Sequence, residues 1–257
     1  MSLFQVEDAR ISYGKRPVIQ GASFRLEQGE FCALLGLNGS GKTTLLHGIC
    51  GLIPMEGSCR VNEDRLDCLN EKQRARLVSF IPQVSGLSGE RSVLEVVMMG
   101  FNARLGLFSS PGPEHRQKAM DALKLMNYED FAERDFGSLS QGQKQVVILA
   151  RCLVQDTPLM LMDEPDSAMD FLNKHMILER IRSIIRSEGK TGLITMHDPN
   201  FAMNYCDRLI LLRDGRIIDE LDMRTDKPED IERKLSLIYG PIEIVPCSAG
   251  YLMCRKE

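Results

Sequence analysis

The stretch Phe31 to Leu46, FCALLGLNGSGKTTLL, constrains this chain more than any other. Phe31-Cys32-Ala33-Leu34-Leu35 is apolar at every position, as a strand buried on both faces of a parallel sheet must be. It runs into Gly36-Leu37-Asn38-Gly39-Ser40-Gly41-Lys42-Thr43, which matches GxxxxGK[ST] at each fixed position, and Thr44, Leu45 and Leu46 continue as a helix. Glycines let backbone amides curl around phosphate oxygens without Cβ clashes, and the helix behind them turns its positive end toward the anion. Lys42 adds a point charge for the β- and γ-phosphates, and the Thr43 hydroxyl is a ligand for Mg2+. Strand, loop and helix in this order belong to α/β folds, whose ligands bind beyond the carboxyl ends of parallel strands.

Other apolar runs end in polar groups of the right kind. Leu77–Ile81, Leu159–Met162 and Leu193–Met196 are expected to be strands of the same sheet, followed by Gln83, Asp163-Glu164 and His197-Asp198. A carboxylate at the tip of a buried strand, Asp163, suits Mg2+ through its water shell. Consecutive residues at a strand end point different ways, so Glu164 can polarise an attacking water. The Gln83 amide can ligate Mg2+ or hold that water. Asp198-Pro199 has the form of an N-cap and first helical position, which sets His197 at a strand-to-helix corner. Leu209–Leu212 and Arg216–Ile218, joined by Asp214-Gly215, read as a hairpin. In the first thirty residues Phe4, Val6, Ile11, Tyr13, Val18, Phe24 and Leu26 alternate with polar residues, so short antiparallel strands are expected there.

Between Gln83 and Leu159 the pattern turns helical. Ser92 to Glu95, SVLE, has capping-box spacing and opens a helix expected to end near Gly100. A loop near Leu105–Pro113 precedes a helix over Glu114 to Met126, with Asn127 as its cap. Further on, Ser138 to Gln145, SLSQGQKQ, stands before the apolar run VVILARCLV and reads as a second anion-facing helix start. A plain N-cap explains Ser140 but not the glycine and two glutamines after it.

Composition removes several classes. The longest apolar stretches are far short of the about 18–20 residues of a membrane helix. MSLFQVEDAR lacks the layout of a signal peptide, so the chain is expected in the cytoplasm. A net charge of −4 argues against a phosphate-tracking surface for nucleic acid. The eight cysteines form no CxxC pair or zinc-spaced cluster and read as reduced, structural thiols. The stretch after about Asp222 is expected to hold one short strand, within Tyr239 to Tyr251, packed on the core.

In chain order, the phosphate loop, Gln83, LSQGQ, LMLMDEP, SAMD and His197 resemble the ATP-binding cassette (ABC) ATPases of transporters, over nearly the whole chain. The resemblance implies an α/β, RecA-like P-loop NTPase fold: a mostly parallel sheet core, an N-terminal antiparallel β subdomain and an inserted helical subdomain. Residues 1–257 would form one ATPase domain, with the core at about 1–85 and 158–222, the helical subdomain at 86–157 and a C-terminal extension at 223–257. It implies ATP and Mg2+ as cofactors. Tyr13 would stack on adenine, and Gly36, Leu37, Asn38, Gly39, Ser40, Gly41, Lys42, Thr43 and Thr44 would hold the rest of ATP. Thr43, Gln83 and Asp163 would hold Mg2+, and Glu164, His197 and Lys42 would be catalytic.

Cassettes of this family pair head to tail. Ser140, Gln141, Gly142 and Gln143 would therefore close over ATP held by a second copy, and Ser167 and Asp170 would couple the two sites. The partners implied are that second copy, two integral-membrane permease subunits and, indirectly, an extracytoplasmic substrate-binding protein; the place implied is the cytoplasmic face of the membrane. Gln141 stands where the family commonly has glycine and Asp166 where it often has threonine, so an altered rate is expected rather than lost activity. SVLEVVMMG, the loop near 105–113, NYCDRLILLRDGRI and IYGPIEIV are similar to the ATPases of metal-chelate importers for iron–siderophore complexes, haem or cobalamin, with related systems for molybdate. Three rivals fit less well. A non-transport cassette protein would show paired cassettes, a coiled-coil insert or basic patches. A small P-loop kinase leaves LSQGQ unused, and a non-catalytic regulator would lack Glu164 or His197.

Overall fold

The structure, a computed structural model, describes residues 2–83, 86–87, 90–106, 109–248 and 250–256. Along the chain the elements are β1 (Ser2–Tyr13), β2 (Arg16–Glu27), β3 (Phe31–Leu35), α1 (Lys42–Ile49), β4 (Glu56–Val61), β5 (Asp64–Arg65), α2 (Glu71–Arg74), β6 (Val78–Ile81), α3 (Val93–Met98), α4 (Pro113–Leu125), α5 (Gln141–Gln155), β7 (Leu159–Asp163), α6 (Phe171–Ser187), β8 (Thr191–Thr195), α7 (Pro199–Tyr205), β9 (Arg208–Arg213), β10 (Arg216–Asp222), α8 (Pro228–Tyr239), β11 (Ile242–Cys247) and β12 (Gly250–Arg255). They fall into two compact units, Met1–Cys68 with Glu179–Glu257, and Leu69–Leu178.

The first unit opens with an antiparallel sheet in the order β2-β1-β4-β5. Instead of the expected short strands, β1 and β2 are 12 residues each. The core side of β1 carries Phe4, Val6, Ala9 and Ile11, so the two-residue period slips by one between Val6 and Ala9. Asp8, at φ 48°, makes that bulge. The parity break mimics a strand end when only the sequence is read. A second group of strands runs β10-β9-β3-β8. Here β3 lies parallel to both neighbours, Cys32 opposite Leu193 of β8 and Ala33 opposite Leu209 of β9. All five residues of β3 are buried, which accounts for its unbroken apolar run. Pairing of Phe31 with Gly192 starts β8 earlier than expected, and the strand stops before Met196.

The C-terminal stretch is a helix and an antiparallel hairpin, β11 with β12, rather than one short strand. Asn204 of α7 pairs with the β12 backbone as a strand would, donating to Tyr251 O at 2.9 Å and accepting from Tyr251 N at 3.0 Å. A Cβ on Gly250 would lie 1.9 Å from Asn204 Oδ1, so that contact requires glycine.

In the second unit β6 pairs parallel with β7, Ile81 opposite Met162. The Ser92–Glu95 capping box starts α3 as expected. The α-helix ends at Met98, near Gly100 as expected, and the chain then tightens into a 3-10 turn, Met99–Ala103. Gly100 serves packing, because a Cβ there would lie 2.3 Å from Arg151 O of α5. Asn127, at φ 56°, follows α4 in the left-handed conformation of a C-terminal cap. Of the loop expected near 105–113, residues 107 and 108 lie outside the described residues, and Pro113 opens α4. Among the described residues no helix is long and apolar enough to cross a membrane, and the cysteines form no disulfide.

Candidate functional site

In the first unit β3 delivers the chain into the phosphate loop. A Cβ on Gly36 would sit 2.3 Å from Leu212 O, and one on Gly41 2.6 Å from Ile19 Cδ1. Gly39 and Gly41 also have φ 79° and 105°, which disfavour any L side chain. The loop is thus imposed by its own fold. Lys42 is 5% exposed, and its Nζ donates to Gly36 O at 2.9 Å and to Leu37 O at 3.4 Å. The ammonium is folded over the carbonyls of its own loop. Ser40 Oγ is buried and has no partner among the described residues. An unsatisfied buried hydroxyl costs about 1–3 kcal/mol, a cost that an incoming phosphate oxygen would relieve. Leu37 and Asn38 are exposed, and Thr43 and Thr44 are half-buried in the first turn of α1. Tyr13, the last residue of β1, is 54% exposed and offers a ring face for stacking. His197 is exposed in the corner between β8 and α7. Asp198 caps α7, accepting from Asn200 N at 2.9 Å.

The second unit gathers the acidic strand end. β7 ends in Asp163, which is buried, as is Glu164 after it. Glu164 has φ 47°, a conformation that costs a non-glycine residue about 1–3 kcal/mol. Ser167 N donates to Glu164 O at 3.1 Å and closes the turn. Gln83 is brought directly to this turn: its Nε2 donates to Glu164 Oε2 at 2.8 Å. Asp166 is buried with Lys174 Nζ 3.7 Å away, a pairing that threonine could not make. Asp170 closes the start of α6, accepting from Asn173 N at 2.9 Å.

Ser140 is the N-cap of α5 in a full capping box: Gln143 N donates to Ser140 Oγ at 3.3 Å, and Ser140 N to Gln143 Oε1 at 3.0 Å. Gln145 donates to Pro82 O and Gln83 O. Of the two glutamines that a plain cap left unexplained, Gln143 is therefore used inside the chain, as is Gln145 beyond them. The Ser140-x-x-Gln143 spacing already spelled the box, and Gln145 sits at core spacing from Ile148, Leu149 and Cys152, a polar residue on an apolar face. Gln141 is exposed. Gly142 stays unexplained by the fold. A Cβ there would meet Met169 Cγ at 3.5 Å, ordinary van der Waals contact.

For Mg2+, Thr43, Gln83 and Asp163 offer hard oxygen donors. No group of three or more His, Cys, Asp or Glu residues that could hold a metal exists among the described residues. Oxygen donors of this kind, one in the first unit and two in the second, each suit a cation that takes most of its ligands from phosphate and water. Two cysteines near these elements are structural: burial pushes the Cys32 and Cys152 thiols up from their ordinary value, and Cys152 Sγ donates to Phe80 O.

Residues 19–167, more than half of the chain, match the family model described as ABC transporter. A hemin import ATP-binding protein of Pseudomonas aeruginosa is 38% identical over 221 residues, covering 83% of this chain and 84% of that one. Among solved structures, an inward-facing transporter of the metal-chelate type superposes with a TM-score of 0.82 at 26% identity, over 99% of this chain and 96% of that one. A dimeric ATP-binding cassette in a post-hydrolysis state, bound to ADP and phosphate, gives 0.77 at 27% identity, over 87% of this chain and 100% of that one. The mixed α/β fold, with its antiparallel sheet and its parallel strands, is that of these cassettes. The phosphate loop and the acidic strand end thus lie in a protein that belongs to the ABC transporter family, as one of its ATPases.

Proposed function

We propose that this chain is the ATP-hydrolysing subunit of an importer for a metal chelate such as iron–siderophore, haem or cobalamin. Two copies, paired head to tail at the cytoplasmic face of the membrane, would serve two permease subunits supplied by an extracytoplasmic binding protein. The observation that carries the pairing is Gly142: nothing among the described residues requires a glycine there, while helix propensity disfavours one by about 1 kcal/mol. A nucleotide approaching from a second copy supplies the missing reason, since it needs the backbone bare. The dimeric cassette with ADP and phosphate supports a dimer of this chain. The metal-chelate branch is supported by the hemin-import relative and the metal-chelate transporter.

In this reading the chain works as one ATPase domain. Tyr13 stacks on adenine, and the amides of the 36–44 segment receive the phosphates. Lys42 leaves the carbonyls of Gly36 and Leu37 for β- and γ-phosphate oxygens, and Ser40 gains the partner it lacks. Thr43, Gln83 and Asp163 would hold Mg2+, which when bound neutralises charge on those oxygens. Glu164, steadied by Gln83, orients the attacking water, and His197 donates to the γ-phosphate as charge develops. Ser140 and the start of α5 in the partner close the site, and Ser167 and Asp170 report closure across the pair. The 86–157 segment grips a cytoplasmic helix of the permease, so closure and reopening are passed to the membrane.

Glu164→Gln keeps the shape but removes the base. It should bind Mg·ATP, lose at least about a hundredfold in turnover and accumulate as an ATP-bound dimer on size-exclusion chromatography. Turnover at the parental rate would remove Glu164 from the mechanism. Loss of growth on a haem, iron–siderophore or cobalamin source after gene deletion tests the cargo.

A further inference from the structure

We infer that Gln145 is a positioning residue for ATP hydrolysis: it holds the Gln83 backbone to the helix that follows Ser140, and the Gln83 amide in turn sets the Glu164 carboxylate. The inference rests on the proposed role of Glu164. Gln145 lies on the α5 face that carries Ile148, Leu149 and Cys152, and it is 4% exposed. An apolar side chain would fill such a position without desolvating a polar group. The chain keeps an amide there, and its Nε2 reaches two successive carbonyls, Pro82 O at 2.9 Å and Gln83 O at 2.6 Å. Its Oε1 is buried without a partner among the described residues. The site therefore bears one desolvated oxygen in order to place one nitrogen.

What that nitrogen holds is the first backbone beyond the strand pairing, which ends with Ile81 opposite Met162. The Gln83 side chain then spans to Glu164 Oε2 at 2.8 Å. Glu164 stands at φ 47° in a turn closed by Ser167 N, so its backbone has little latitude to correct a displaced partner. A shift of the first turns of α5 is thus relayed to the water-orienting carboxylate through two side-chain amides and one stretch of main chain. The same helix start is the one proposed to face the second copy's nucleotide. Arrival of that nucleotide would therefore be read by Gln145 and passed to Glu164 of the chain that supplies the helix.

A double-variant cycle on the full chain tests this. Gln145→Met keeps the length and loses both donated bonds. We expect it to lower kcat about tenfold while KM for Mg·ATP stays within about twofold, because orientation rather than binding is lost. In a Gln83→Ala background, where the link to Glu164 is already cut, the same substitution should change kcat by less than about twofold. A packing defect alone would multiply in both backgrounds. A folded Gln145→Met protein with parental kcat, or an undiminished loss in the double variant, overturns the inference. Should Gln145→Met fail to fold, Gln145→Glu, which turns a carboxylate on the same two carbonyls, goes through the same cycle with the same outcomes. Parental turnover in Glu164→Gln would instead remove the role of Glu164 itself; its loss beside full activity in Gln145→Met removes only the relay.

Discussion

The helix after the phosphate loop and the helix after Ser140 both begin among small residues, yet their glycines answer to different neighbours. At the start of α1, Gly41 is held at φ 105° with Ile19 Cδ1 where a Cβ would go, and it has no side chain with which to cap the turn. The chain itself forbids anything larger. At the start of α5, Ser140 and Gln143 cap the turn reciprocally, and Gly142 has room for a methyl group. One helix start is shaped by its own fold around the anion it takes. The other is already satisfied at home and carries one glycine that the described residues do not require, for which the proposed second copy's nucleotide gives a reason.

Substitutions can break this contrast. Gly41→Ala carries the largest expected effect: backbone strain and the clash with Ile19 should lower unfolding stability by about 2 kcal/mol or more in urea titrations, with ATP binding lost alongside. Unchanged stability would mean that the loop is not imposed by its fold. Gly142→Ala should do the opposite to the fold, leaving stability equal or raised by up to about 1 kcal/mol, while turnover falls at least about tenfold. Parental turnover in that variant would return Gly142 to ordinary helix chemistry. Gln141→Gly is the mildest. Its exposed side chain should matter a few-fold in turnover, with about 0.5–1 kcal/mol lost from the helix. Abolished activity, or none of either effect, would contradict the altered rate expected of the exposed Gln141.

The parts of this molecule that show in its sequence are those where one local rule decides. β3 and β7 are buried on both faces, as their short unbroken apolar runs anticipate, and the GxxxxGK[ST] loop sits between the strand and helix that it requires. The length of β1 was hidden because the Asp8 bulge shifts its period at the point where a strand end would also shift it. β4 was hidden for a different reason: Cys59 and Val61 are its only buried apolar residues, and pairing with β1 makes it a strand. The C-terminal hairpin depends on Asn204 and on Gly250, distant in sequence, and no local pattern announces such a contact.

The candidate site divides in the same way. Gln83, Asp163, Glu164 and His197 were readable as polar residues after apolar runs, and the structure brings Gln83 and Glu164 into contact. Gln145 was overlooked because a glutamine beside the LSQGQ turn reads as part of that turn. Only its burial and its two backbone acceptors assign it to the core.

The most direct test of the central claim is a structure of the protein with Mg2+ and a slowly hydrolysed ATP analogue, read at one distance. The account predicts a dimer in which Ser140 Oγ of each copy lies about 2.7–3.0 Å from a γ-phosphate oxygen of the nucleotide held by the other copy's 36–43 loop. Dimers in which Ser140 meets no terminal phosphate, or meets only the one bound by its own chain, would contradict it.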